Sequence, residues 1–143
     1  MTGRYEKFTP QAREAIRLAE EAAQSLSHGS VGTEHLLLGL LEEGTGVAYR
    51  VLSECGVELS KVRELMEELI SGNSALRTRG ELWTPRAERV LENSYHEAVR
   101  FKAPLVGTEH ILIAMIREND CVATRILNTM GVSVQKIYVD LFS

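Results

Sequence analysis

The 143-residue chain has only two cysteines, three prolines and one tryptophan, no excess of basic residues and no long apolar run. Each scarcity excludes something. Cys55 and Cys121 lie in apolar surroundings, with no CxxC and no histidine at ligand spacing, so packing thiols in a reducing compartment fit better than a disulfide framework or a metal site. So few prolines leave long stretches free to be helical. No window approaches the roughly 18 consecutive apolar residues of a membrane helix, and the opening MTGRYEKF lacks the apolar core of a secretion signal. A cytoplasmic protein with no membrane partner is expected. Sixteen Lys and Arg against twenty Asp and Glu give a formal charge of −4, which argues against nucleic acid, because tracking phosphates needs a basic face. P-loop, nucleophile-elbow, HExxH and dinucleotide glycine patterns are all missing, so the sequence predicts neither an enzyme nor a cofactor.

What is present is ordinary globular composition, 44% apolar and 25% charged, on a chain long enough for one domain or two very small ones sharing a core. The chain is also one unit written twice. At an offset of 75, residues 8–68 align with 83–143 without a gap, sharing 18 identities in 61 positions. Such self-similarity governs the whole architecture. Its strongest block, VGTEH, spans Val31 to His35 and again Val106 to His110. Thr9 and Thr84, Pro10 and Pro85, Val47 and Val122, Arg50 and Arg125, and Gly56 and Gly131 are further matches.

Each unit opens with an aromatic residue and Thr-Pro, at Phe8-Thr9-Pro10 and Trp83-Thr84-Pro85. A threonine cap followed by proline at the first helical position is a strong helix start. Ala12, Ala15, Ile16, Ala19, Ala22, Ala23 and Leu26 then follow helical spacing, as do Ala87, Val90, Leu91, Ala98 and Phe101, a stripe interrupted by Ser94 and Glu97. A second helix is expected after Gly32 or Gly107, with Thr33 or Thr108 as its cap. It should bury Leu36, Leu37, Leu40 and Leu41, or Ile111, Leu112, Met115 and Ile116, and end at Gly44 or Asn119. A third carries Val47, Ala48, Val51 and Leu52, or Val122, Ala123, Ile126 and Leu127, and stops at Gly56 or Gly131. A fourth starts near Glu58 or Ser133. No stretch alternates with period two, so no sheet is expected. The reading is an all-α fold of two pseudo-symmetric four-helix repeats in one eight-helix domain: residues 1–70, a polar linker at 71–82, and residues 83–143.

Candidate functional residues are few. Glu34 and Glu109 each sit in a first turn whose unpaired N–H groups and dipole carry partial positive charge. One reading is purely structural, since a carboxylate there stabilises a helix by about 0.3–1 kcal/mol. The other is recognition: the carboxylate takes a guanidinium while threonine hydroxyls and helix-terminal N–H groups receive an anion. Thr9 and Thr84 are open to the same two readings. Glu and His adjacent on a helix point about 100° apart and form neither a dyad nor a paired ligand set, so His35 and His110 are read as solvent-facing or hydrogen-bonded first-turn residues. Phe8 and Trp83 are read as packed at the helix openings.

The doubled unit, with Thr-Pro-x-Ala, then VGTEH before an apolar helix, then EEGTGVAYRVLSECGV, resembles the N-terminal repeat domain of Clp-type AAA+ unfoldases, in particular the ClpC branch. The resemblance covers almost the whole chain. It implies a domain that stands in front of the ATPase rings and receives adaptors and unfolded or arginine-phosphorylated substrates for ATP-dependent unfolding and proteolysis. It also implies phosphoarginine binding with one site associated with each repeat, Glu34 and Glu109 meeting the guanidinium and Thr9 and Thr84 the phosphate. The resemblance favours recognition over the structural reading. The second copy departs from the first at Ala114 and Asn119, where Gly39 and Gly44 stand, which points to an altered second site. With no ATPase motif in the sequence up to Ser143, the expectation is either a domain excised from a longer unfoldase or, as the alternative reading, a free-standing accessory protein that binds the Clp machine or its adaptors without reading phosphoarginine.

Overall fold

Residues 5–26, 29–71 and 82–142 are described by the computed structural model. The expected linker falls mostly at 72–81, outside the described residues. Eight helices run through the described chain: α1 (Pro10–Ser25), α2 (Thr33–Glu43), α3 (Val47–Glu54), α4 (Leu59–Ser71), α5 (Pro85–Arg100), α6 (Thr108–Arg117), α7 (Val122–Thr129) and α8 (Val134–Leu141). The fold is all-α.

The Thr-Pro signals act as physical chemistry requires. Thr9 Oγ1 accepts from Ala12 N at 3.1 Å and Thr84 Oγ1 from Ala87 N at 3.2 Å, each with proline at the first turn. Ala12, Ala15, Ile16, Ala19 and Ala23 form the buried stripe of α1, while Leu26 is the exposed C-cap. In α5 the two interrupting polar residues are buried with the stripe. Ser94 Oγ donates to Leu91 O at 2.5 Å, and Glu97 meets Arg117 Nε of α6 at 2.6 Å, so neither leaves an isolated charge in the core. Phe101, expected in the stripe, caps α5 and is partly exposed.

Helices α2 and α6 are central. Every residue from Thr33 to Leu41 is buried, and so is every residue from His110 to Ile116, the pattern of a helix covered on all sides rather than along one stripe. Gly39 allows α1 to approach closely: a Cβ there would lie 2.1 Å from Ala15 O. Gly44 ends α2 with a φ of 76°. In the second copy α6 stops at Arg117, and the left-handed residue is Asp120, with a φ of 66°, instead of Asn119. A short polar side chain tolerates that conformation.

The repeats interlock. Helix α2 packs on α5, α6 and α7, and α6 reciprocates with α1, α2 and α3, while α3 meets α8 and α4 meets α7. Each of these cross-repeat contacts among the described residues has a counterpart with the roles exchanged, which is a two-fold pseudosymmetry. The chain between helices obeys it too. Among the described residues no strand forms, but two isolated parallel bridges pair Phe8 with Val106 and Val31 with Trp83. Thr9 N donates to Val106 O and Thr84 N to Val31 O, both at 2.9 Å. Phe8 and Trp83 are buried there as packing residues.

Candidate functional site

The interlocked topology decides which candidate residues meet. Because Trp83 bridges Val31, the start of α5 lies beside the start of α2, and α7 opens against the same place. One cleft of about 420 Å³ collects Gly32, Thr33 and Glu34 from α2, Thr84, Pro85 and Arg86 from α5, and Asp120, Cys121, Val122 and Arg125 around α7. Three helix N-termini converge on it, each with N–H groups that have no intrahelical acceptor and a positive dipole end. Thr84 Oγ1 accepts from Ala87 N, which leaves its hydroxyl proton to donate elsewhere. Arg86 donates to Asn119 O at 2.8 Å and Arg125 Nε to Asp120 Oδ1 at 3.3 Å. Two acids, two threonine hydroxyls and two guanidinium groups therefore line one hollow, Asp120 being the acid already paired with Arg125. A larger hollow of about 520 Å³ beside Ala23 and Leu82 carries a single charged residue, Glu20, and no such set.

Glu34 is 1% exposed, and its Oε2 lies 3.8 Å from His35 Nδ1. That contact is not an ion pair of the usual kind. His35 Nδ1 accepts from Gly32 N at 2.8 Å, so the ring nitrogen carries a lone pair and the proton sits on Nε2. His110 Nδ1 accepts from Gly107 N at 2.9 Å in the same way. Burial holds the His110 imidazole below its ordinary pKa, against the opposing pull of the Glu109 and Glu97 carboxylates. Both histidines are hydrogen-bonded, buried first-turn residues rather than solvent-facing ones.

One expectation needs correction. Thr33 and Thr108 do not cap their own helices, since Gly32 and Gly107 occupy the cap positions. The hydroxyls reach across the repeat boundary instead: Thr33 Oγ1 accepts from Ala123 N of α7 at 3.2 Å, and Thr108 Oγ1 from Ala48 N of α3 at 3.1 Å. The cleft is composite, with Glu34 from the first copy and Thr84 from the second.

Glu109 and Thr9 are related by the same pseudosymmetry, because the Phe8–Val106 bridge sets Thr9 against the start of α6. Their surroundings differ from those of Glu34 and Thr84. The Glu109 carboxyl group folds against Gly107, whose added Cβ would lie 2.4 Å from Oε1. It lines a hollow of about 460 Å³ with Phe101, His110 and Phe142, and no arginine lines that hollow among the described residues. Gln11, Thr45 and Arg50 stand where the first cleft has Arg86, Asp120 and Arg125, so one of the two arginines keeps a counterpart.

Arg86, Asp120, Cys121, Val122 and Arg125 are cleft residues that sequence reasoning did not single out as a group. Arg125 and Val122 were visible as matched repeat positions, but only the crossing of the repeats brings them to Glu34. Among the described residues no group of His, Cys, Asp and Glu could hold a metal ion, and no helix is long and apolar enough to cross a membrane.

Residues 7–130 match the family described as the Clp repeat (R) N-terminal domain. The chain belongs to that family. It is 45% identical over 130 residues to the chaperone protein ClpB of Oceanobacillus iheyensis, and 43% identical over 130 residues to the negative regulator of genetic competence ClpC/MecB of Bacillus subtilis. Each alignment takes in 91% of this chain and 16% of the relative, so the chain spans about a sixth of the length of these relatives. In structure the Clp N-terminal fold recurs in the N-terminal domain of the ClpD chaperone from Arabidopsis thaliana, with a TM-score of 0.84 at 24% identity, over 96% of this chain and 94% of that one. A ClpV N-domain in complex with a VipB peptide matches with a TM-score of 0.70 at 16% identity, over 94% and 84%.

Proposed function

We propose that this Clp N-terminal domain is a cytoplasmic docking module of a Clp-type AAA+ unfoldase, receiving adaptors and substrate proteins for the ATPase rings, and that it reads phosphoarginine. The observation that carries the second half is the composite cleft. A phosphoarginine side chain joins a guanidinium to a phosphoryl group, and the cleft offers a buried carboxylate beside a hydroxyl, helix N-terminal N–H groups and two arginines. Glu34 takes the guanidinium through charge-assisted hydrogen bonds, bidentate where geometry permits. Thr84 donates its hydroxyl proton to the phosphoryl oxygens, which also face the N-terminal ends of α5 and α7 and the charges of Arg86 and Arg125. Glu109 and Thr9 form the pseudo-equivalent second site, the weaker of the two because Gln11 stands in place of Arg86, while Arg50 matches Arg125. The domain binds and does not catalyse.

Calorimetric titration of the chain with free phosphoarginine tests the reading. Saturable binding is expected, lost when Glu34→Ala and Glu109→Ala are combined, with Glu34→Ala alone removing the tighter phase. Absence of saturation in the unaltered chain, or titration unchanged in the double variant, removes mark reading and leaves adaptor and substrate docking.

A further inference from the structure

We propose that Thr33 is a positioning residue that sets the ligand selectivity of the cleft, by holding the start of α7 at a fixed separation from the Glu34 carboxylate; the inference rests on the phosphoarginine reading. Thr33 and Glu34 are the first two residues of α2. The Thr33 hydroxyl accepts from Ala123 N across the repeat boundary, and both residues are buried. Ala123 belongs to the first turn of α7 and follows Val122, which lines the cleft. The cap residue of α7, Cys121, makes no side-chain capping hydrogen bond. A hydroxyl from the other repeat therefore takes the capping role, and one buried bond ties the acidic wall of the cleft to one of its anion-facing walls.

The span between the two walls matters for one kind of ligand only. In phosphoarginine the phosphoryl group is bonded directly to a guanidinium nitrogen, so its positive and negative parts lie at a fixed separation. A cleft that engages both must keep its carboxylate and its N–H groups at the matching separation. Unmodified arginine needs the carboxylate alone, and inorganic phosphate the N–H groups alone. Loosening the Thr33 bond thus weakens the doubly charged ligand selectively.

Pseudosymmetry supplies a control of nearly equal structural cost. Thr108 makes the same bond to Ala48 N at the start of α3, which is not part of this cleft. Thr33→Val and Thr108→Val each keep the side-chain shape and each leave one buried amide N–H without its acceptor. If Thr33 were merely structural, both variants would affect the cleft alike.

The test follows the backbone amide resonances of Gly32 and Val122 while the chain is titrated with phosphoarginine and, separately, with arginine. Thr33→Val is expected to weaken phosphoarginine binding at least tenfold and arginine binding less than twofold. Thr33→Ser, which keeps the hydroxyl, restores the ratio, and Thr108→Val leaves the Gly32 and Val122 titrations unchanged. In the unaltered chain, saturating phosphoarginine slows hydrogen exchange at the Ala123 amide more than saturating arginine does, a measurement that needs no variant to fold. If the unaltered chain fails to bind phosphoarginine, the functional reading falls and takes this inference with it. If it binds, but Thr33→Val keeps the ratio, Thr108→Val lowers it as much, or Ala123 exchange responds equally to both ligands, this inference alone is overturned.

Discussion

At the scale of single residues, two histidines hold the openings of the central helices by accepting a backbone proton. The Nδ1 lone pairs of His35 and His110 receive the Gly32 and Gly107 amides, bonds that protonation of those nitrogens would break. For His110 the folded pKa lies below the ordinary value of 6.5, so between the two values the unfolded chain binds more protons than the folded one. Stability from this group is then fully present above pH 6.5 and is lost as the pH falls through 6.5 towards the folded pKa. His110→Gln offers an amide oxygen to the same N–H and does not titrate. Thermal unfolding followed from pH 7.5 to 5 should give a smaller loss of melting temperature in this variant than in the unaltered chain. Parallel pH curves for the two proteins would show that His110 does not govern acid sensitivity.

At the scale of elements, the two copies differ where α1 crosses α2 and where α5 crosses α6. Gly39 permits a backbone approach that the matching Ala114 does not need, since Ala114 sits buried within its own pair at full side-chain size. Placing a methyl group at Gly39 pushes against backbone, the Ala15 carbonyl, which cannot swing aside as a side-chain tip can. Gly39→Ala is therefore expected to destabilise the chain by about 1–3 kcal/mol, overriding the helix-propensity gain of about 1 kcal/mol that alanine brings over glycine. A shift of the urea midpoint to higher denaturant would contradict the close crossing. The glycine was legible as a departure between copies, but sequence pointed it towards the second site, because nothing in one chain's pattern states how near another backbone comes. Ser94 and Glu97 were misleading in the opposite way. They read as interruptions of a stripe, whereas Glu97 is a buried acid matched to Arg117, twenty residues along the chain.

At the scale of the whole molecule, periodicity and the repeat gave the helices, their order and their starts, because Thr-Pro caps, apolar spacing and left-handed glycines act locally. The composite cleft was not legible. Glu34 and Thr84 lie fifty residues apart, and the repeat alone does not state which threonine meets which glutamate. Crossing of the chain at the Val31–Trp83 bridge sets Thr84 beside Glu34, and crossing is a tertiary choice that no local signal encodes. It has a direct consequence. Helix α2 is buried on all sides only because α5, α6 and α7 cover what α1, α3 and α4 leave open, so neither repeat holds a complete core, and the cleft vanishes with the interface. A fragment of residues 1–71 should show a weak helical circular dichroism signal and a broad, non-cooperative melt. Mixing it with residues 82–143 should recover a cooperative melt, and phosphoarginine binding should appear only in the mixture. Cooperative melting of the first fragment alone, or ligand binding to either fragment alone, would mean that the repeats are separate folding units and that the crossing is not what builds the site.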